Sequence, residues 1–166
     1  MLRSVAWQKI AVLARQLWWR LALLAAIVAC NQPPAPRASP SSEDALRELL
    51  DAEAAAVVAQ DIDRLVELWA ADGVVVDAKH TPADSTDDAR WEGIDAIRDR
   101  YVTVVFPGAA SAVAHPIVAM TIVGDTATVT TTTHIGDEVA PAGDRWTFVR
   151  RAGRWWIASL TYNLEP

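Results

Sequence analysis

Four segments rich in β-branched and aromatic residues make up most of the chain after Pro116, and they constrain the fold more than any other feature. The segments are PIVAMTIV, TATVTTTTHI, RWTFVRR and RWWIASLTYN, and the breaks between them are Gly124-Asp125, a loop from Gly136 to Gly143, and Ala152-Gly153. Breaks that contain glycine between such runs are typical of hairpins. The sequence therefore predicts a four-stranded antiparallel meander.

Helical patterns precede this meander. Ser41 or Ser42 can cap a first helix, whose inward face is predicted to hold Leu46, Leu49, Leu50, Glu53 and Val57. Asp61 is the predicted N-cap of a second helix that ends before Gly73. Ile94, Ile97 and Tyr101 lie on one side of a third helix.

The segment between the second and third helices is predicted to be a short strand from Val74 to Asp77 and a polar loop from Lys79 to Glu92. Helices first and strands afterwards are typical of an α+β fold. We therefore expect N-terminal helices packed on a strongly curved antiparallel β-sheet. With 166 residues, of which 52% are hydrophobic, the chain can build the core of one such domain.

The N-terminus has the pattern of a secretory signal peptide. Residues 1–29 carry four basic residues and no acidic one, and they end in the apolar run LALLAAIVA before Cys30. A membrane-spanning helix needs about 20 apolar residues, whereas the stretch from Leu17 to Ala29 is shorter and contains Arg20. The four residues IVAC resemble the bacterial lipobox, in which the cysteine is lipidated and becomes the mature N-terminus.

The predicted organisation is therefore a lipoprotein signal peptide over 1–29, a lipidated Cys30 with a Pro- and Ser-rich tether over 30–42, and a folded domain over 43–166. Four prolines and three serines in residues 31–42 favour an extended tether. We expect the protein to be lipid-anchored in the cell envelope and to face the periplasm or the exterior. The membrane contact is expected through the lipid alone.

The charge of the folded part limits the classes of partner. Eleven basic and 21 acidic residues follow position 29, because four of the 15 basic residues lie before it. A surface this acidic repels phosphate backbones, so nucleic-acid binding is not expected. A cationic or neutral ligand is easier to accommodate, and no motif predicts a cofactor.

The polar loop does not predict a metal site. Its candidate ligands would be Asp77, His80, Asp84, Asp87 and Asp88, but their spacing lacks the alternating acids, central glycine and terminal glutamate of a calcium loop. His115 and His134 stand alone at strand ends, where surface or packing roles are more frequent than ligation.

Three stretches resemble one known superfamily. The segments AQDIDRLVELWAADGVVVDA, WEGIDAIRDRY and GRWWIASLTYN are similar to NTF2-like proteins, in the branch that contains SnoaL-like, DUF4440 and ketosteroid-isomerase-like members. The resemblance covers nearly all of residues 43–166. It implies a cone of helices and bent sheet around an apolar pocket, often dimeric through the outer sheet face. Since this fold hosts isomerases, cyclases, dehydratases and plain binding proteins, it does not define the function.

The resemblance also implies site residues. Asp77 falls where ketosteroid-isomerase-like members have their general base, and burial beside apolar residues would raise its pKa toward a useful range. Glu53 stands in place of an expected tyrosine and Thr147 in place of a protonated acid, so steroid-isomerase chemistry is not predicted. Asp77 and Glu53 could form a carboxylate pair, or could be solvated or bonded to Arg98 or Arg100. The predicted ligand-binding residues are Trp69, Val75, Tyr101, Thr147, Trp155 and Ser159.

Three functions remain open from the sequence. The domain could bind a small apolar or amphipathic molecule, could be an enzyme with Asp77 as general base, or could be a dimeric interaction module without a ligand. Strand alternation places Trp155, Ile157 and Ser159 on one face and Trp156 on the other. A homodimer built on the outer face with Trp156 is therefore expected.

Overall fold

The computed structural model of the protein describes residues 41–164. The signal peptide predicted over 1–29, the lipidation at Cys30 and the tether up to residue 40 lie outside the described residues. The helices are α1 (Ser42–Ala59), α2 (Ile62–Val66) and α3 (Ile94–Arg100), and α3 continues into a π-helical turn (Tyr101–Val105) and a 3₁₀ turn (Phe106–Gly108). The strands are β1 (Trp69–Asp77), β2 (Ala89–Glu92), β3 (Val113–Ala114), β4 (Ile117–Val123), β5 (Thr126–Ile135), β6 (Glu138–Arg151) and β7 (Arg154–Tyr162).

Two helix starts follow from side-chain caps that the sequence predicted. The hydroxyl oxygen of Ser41 accepts a hydrogen bond from the backbone N–H of Asp44 at 3.1 Å, and Asp61 accepts one from the N–H of Arg64 at 2.9 Å. Helix α2 ends before Gly73 as predicted, but several residues earlier than the apolar pattern indicated. The helix stops at Val66 because the chain enters β1 at Trp69, which is paired with β7.

The sheet has the order β2-β1-β7-β6-β5-β3, and β4 also pairs with β5. Strands β4 to β7 form the predicted antiparallel meander. The sheet is mixed rather than antiparallel throughout, since β1 runs parallel to β7. The predicted polar loop after Lys79 includes the strand β2, which pairs with β1. The predicted loop from Gly136 to Gly143 is mostly strand, because β6 begins at Glu138.

The core lies between α1 and α3 on one side and the inner face of the sheet on the other. It contains Leu46 and Leu50 of α1, Ile97 of α3, and large sheet residues such as Trp146 and Phe148, all at most 2% exposed. Helices on one face of a sheet confirm the predicted α+β class. None of the helices within residues 41–164 is long and apolar enough to cross a membrane.

A β-bulge changes which residues of β7 face the core. Thr147 pairs with Ser159 but Phe148 pairs with Ile157, so one extra residue of β7 lies between them. Trp155 and Ile157 are buried, as is Leu160, whereas Ser159 lies on the opposite face of the sheet. The prediction that Ser159 shares a face with Trp155 was therefore wrong, because a bulge reverses the alternation.

Candidate functional site

A cavity of about 390 Å³ opens between α1, the end of α3 and the strands β5 to β7. Its volume is within the range of small-molecule pockets. Apolar side chains such as Val57, Val105 and Leu160 form part of the wall. The polar side chains of the wall are Glu53, His80, Arg100, Tyr101, His115, Thr133, Asp144, Tyr162 and Asn163.

Glu53 is the central acid of the cavity. It lies on the inward face of α1 and is only 3% exposed. The Tyr101 hydroxyl donates a hydrogen bond of 2.7 Å to Oε1, and Nε2 of His115 lies 2.8 Å from Oε2. Since burying a carboxylate is unfavourable unless hydrogen bonds compensate for lost water, these two donors are what allows Glu53 to remain inside.

His115 lies between β3 and β4, and its imidazole is 6% exposed. The ring packs edge-on against Trp146 with 5.0 Å between ring centroids. Its second nitrogen, Nδ1, is 3.3 Å from the hydroxyl oxygen of Thr133, and that hydroxyl donates a short hydrogen bond to Asp144. Both ring nitrogens therefore lie beside oxygen atoms that can accept a hydrogen bond.

Alternation along β5 builds the wall behind His115. Thr131 and Thr133 are buried, while Thr130 and Thr132 lie on the other face with partial exposure. The indole N–H of Trp146 donates to the Thr131 hydroxyl at 3.2 Å. These contacts fix Thr133 and Trp146 against the histidine and so orient its ring.

Tyr101 is the first residue of the π-helical turn and is 2% exposed. Burial raises the pKa of its phenol well above the usual value, and the negative charge of Glu53 raises it further. Tyr101 is therefore a neutral hydrogen-bond donor at all ordinary pH values. Tyr101 lines the cavity, and its predicted contact with a ligand stays a prediction.

Asp77 occupies a different environment from the predicted one. It ends β1 at 7% exposure, but it is not among the residues that line the cavity. Lys79 contacts Oδ2 through Nζ at 2.8 Å, and Asn163 donates to Oδ1 at 2.7 Å. Burial raises the pKa of the Asp77 carboxyl, but these hydrogen bonds lower it by more, so its pKa lies below the ordinary value. The expected rise in pKa was wrong because sequence reasoning missed both partners.

Most of the other predicted ligand contacts lie away from the cavity. Trp69 packs behind Tyr101 with 6.4 Å between ring centroids, and Val75 is completely buried in the core. Trp155 borders α1 in a shallow groove elsewhere on the surface. Thr147 and Ser159 bond to each other at 2.6 Å on the opposite face of the sheet from Trp146. These five residues do not line the cavity.

Sequence reasoning missed His115, Thr133, Asp144 and Arg100 as residues of the site. The resemblance implied an acid at the position of Thr147. The acid that lines the cavity from β6 is instead Asp144, three residues earlier. Two sequence signals could have identified Asp144 and Arg100. Asp144 directly precedes the β-forming segment RWTFVRR, and Arg100 falls three residues after Ile97 on the inward face of α3.

The acidic loop after β1 is held by hydroxyl groups. Thr86 donates to Asp84 through its backbone and side chain, and Thr81 donates to Asp87 at 2.8 Å. Among the side chains that the structure describes, no cluster of three or more His, Cys, Asp or Glu is arranged to hold a metal ion. These acids serve as caps of local turns.

Comparisons with solved structures agree with this architecture. An NTF2-like protein with a cystatin-like fold from Novosphingobium aromaticivorans is 23% identical, with a TM-score of 0.54 over 87% of this chain and 85% of the other. An NTF2-like protein of unknown function from Shewanella baltica is 16% identical, with a TM-score of 0.53 over 74% and 95%. These likenesses define the fold as NTF2-like.

The family follows from the sequence itself. The model of the SnoaL-like domain matches residues 41–159, so the chain belongs to that family. A candidate polyketide cyclase from Sinorhizobium meliloti is 28% identical over 74% of this chain and 98% of its own, but its TM-score of 0.47 adds nothing about activity here. No curated protein matches the sequence.

Proposed function

We propose that the domain binds a small amphipathic molecule in its cavity and that Glu53 and His115 form an acid–base pair acting on it. The observation that supports this most is the buried Glu53 inside the cavity, held at 2.7 Å by Tyr101 and at 2.8 Å by His115. Replacing a buried ion pair by apolar residues of similar volume is often neutral or stabilising, so a need for stability does not by itself explain a buried acid here. Its place at a cavity wall favours a role toward a ligand.

The chemistry that this arrangement supports is proton transfer. Glu53 can accept a proton from a ligand C–H or O–H group while His115 donates one, or the two can act in the reverse order. The neutral phenol of Tyr101 donates its single O–H to Glu53 and so holds that carboxylate at the cavity wall. Isomerisation, cyclisation and dehydration all need such steps. General acid–base catalysis contributes about 10²–10⁴-fold in rate.

Asp77 is the weaker candidate for the base. Its side chain does not line the cavity, and its lowered pKa makes it a weaker proton acceptor. Asn163 lines the cavity, so Asp77 contributes by holding that amide in place. We therefore assign Asp77 a positioning role in this proposal.

The bicyclic ketone 2-tetralone tests the proposal, because it is apolar and has acidic C–H bonds beside its carbonyl. Deuterium uptake at those carbons, followed by NMR in heavy water, should be accelerated by the wild type. Glu53→Gln and His115→Gln should each reduce the acceleration at least about 100-fold. Asp51→Asn, an exposed acid of the same helix, is the control. Equal exchange in the wild type and Glu53→Gln would contradict the acid–base pair.

The setting of the domain is part of the proposal. The IVAC pattern at Cys30 favours a lipid anchor and placement in the cell envelope. A homodimer through the outer sheet face is proposed on Trp156, whose ring lies half-buried under the Arg154 guanidinium at 4.0 Å. Sedimentation of residues 41–166 as a monomer only would contradict the dimer.

A further inference from the structure

Arg100 is a charged side chain buried without a counter-ion. It ends α3, is 6% exposed and lines the cavity. Among the side chains that the structure describes, no carboxylate lies within 4 Å of its guanidinium, and its Nε is buried without a hydrogen-bond partner. The other arginine of this helix, Arg98, is by contrast exposed and pairs with Asp63.

Three aromatic rings surround the Arg100 guanidinium. Its central carbon lies 5.1 Å from the ring centroid of Trp91, 5.6 Å from that of Tyr101 and 4.7 Å from that of Tyr162. Cation–π attraction holds the group in place. Ring faces do not accept the N–H hydrogen bonds that the guanidinium loses with its water, so burial here is only partly compensated.

We propose that Arg100 binds a carboxylate of the ligand, so that the cavity accepts small amphipathic carboxylic acids. A carboxylate matches the fork of guanidinium N–H groups and would supply the missing counter-charge. The apolar wall and the rings then contact the hydrocarbon part. This inference rests on the proposed binding function and adds the class of ligand.

The buried charge of Arg100 favours an anionic ligand, whereas the acidic net charge of the folded part favoured a cationic or neutral one. The acidic composition of the folded part favoured a cationic or neutral ligand, but long-range charges on the surface are screened within about 8–10 Å by salt. A buried guanidinium is screened far less. Glu53 is bonded to Tyr101 and His115 and forms no ion pair with Arg100.

The test compares two ligands of nearly equal shape, 2-naphthoate and the neutral 2-naphthamide, by titration calorimetry at pH 7. The wild type should bind the carboxylate at least about tenfold more tightly than the amide. Arg100→Met should abolish that preference, and Arg100→Lys should keep part of it, since lysine retains the charge without the fork. Arg98→Met is the matched control and should bind as the wild type does.

Each outcome decides a separate point. Equal binding of both ligands by the wild type, or an unchanged preference in Arg100→Met, would overturn the role of Arg100 and leave the binding function standing. If the wild type binds neither ligand nor 2-tetralone, the proposed pocket function fails, and this inference fails with it. The comparison in the wild type needs no variant, so misfolding of Arg100→Met would not prevent the decision.

Discussion

Glu53 and His115 are 62 residues apart in the chain, and their side chains meet at 2.8 Å inside the cavity. One belongs to the first helix and the other to the connection between β3 and β4. The contact joins the helical layer to the sheet at the cavity wall. The buried hydrogen bonds around this pair should therefore contribute to stability as well as to function.

The Tyr101 hydroxyl should be the more important of the two tyrosine hydroxyls for stability. Tyr101→Phe removes one of two donors to the buried Glu53, so the free energy of unfolding should fall by about 1.5–3 kcal/mol. Urea denaturation at pH 7 measures this. Tyr162→Phe is the control, because no hydrogen bond of that hydroxyl is seen within residues 41–164, and its effect should be much smaller. A Tyr101→Phe variant as stable as the wild type would contradict a donor role.

The raised pKa of Tyr101 predicts a dependence of stability on alkaline pH. The phenol titrates near pH 10 in the unfolded chain and higher in the fold, so the unfolded state loses its proton first. The contribution of the Tyr101 phenol to the free energy of unfolding is fully present below pH 10. Above pH 10 it declines by at most about 1.4 kcal/mol per pH unit. The difference between the wild type and Tyr101→Phe should narrow between pH 10 and 11.5 in urea denaturation. A constant difference would contradict the shift.

Asp77→Asn should have the opposite pH signature. Asp77 accepts hydrogen bonds from the side chains of Lys79 and Asn163, and its pKa in the fold is lower than the unfolded value of 3.8. The stabilisation that the Asp77 carboxylate contributes is fully present above the unfolded pKa of 3.8. It is lost as the pH falls through the lower pKa of the folded state. The variant should be less stable than the wild type by about 1 kcal/mol at pH 7.

Thermal denaturation between pH 7 and pH 2.5 measures the difference in stability between the wild type and Asp77→Asn. This difference should shrink below about pH 4. A variant that is as stable as the wild type at pH 7 would show that these hydrogen bonds are not formed. Asp84→Asn, in the exposed loop, provides the comparison for an acid with local hydroxyl and backbone partners only.

Gly143 should tolerate no side chain. Its φ is +71°, and an added Cβ would overlap the backbone carbonyl of Thr131, where the pairing register of β5 with β6 shifts between Thr131 and Thr133. Gly143→Ala should destabilise the fold by about 2 kcal/mol or more. Gly153→Ala has a similar φ of +79° with nothing within 4 Å, so it should cost only about 1–2 kcal/mol. Equal losses in the two variants would show that the clash is relieved without cost.

Cys30→Ser tests the anchor in cells that produce the full chain. If Cys30 carries the lipid, the variant should move from the membrane fraction to the soluble fraction after cell breakage. Labelling with a fatty-acid analogue should be lost at the same time. A variant that stays with the membranes would contradict lipid anchoring through this residue.

Local patterns were enough to predict most elements of the fold. The caps at Ser41 and Asp61 depend on hydrogen bonds between residues three positions apart, which the sequence shows directly. The strands β4 to β7 follow from β-branched residues and short turns between neighbours in the chain. The opposite faces of Trp155 and Trp156 follow from the pleat of a strand. Each of these features is decided by residues close together in sequence.

The site itself was decided only by the tertiary structure. One extra residue in β7 reversed the alternation and placed Ser159 outside the cavity, while the register of β6 brought Asp144 inside in place of Thr147. The parallel pairing of β1 with β7 set Asp77 beside Asn163, and the meeting of Glu53 with His115 joins distant segments. Sequence patterns carry the period of a strand but not the position of a bulge or the partner of a buried charge. Those depend on packing and long-range hydrogen bonds that exist only once the chain has folded.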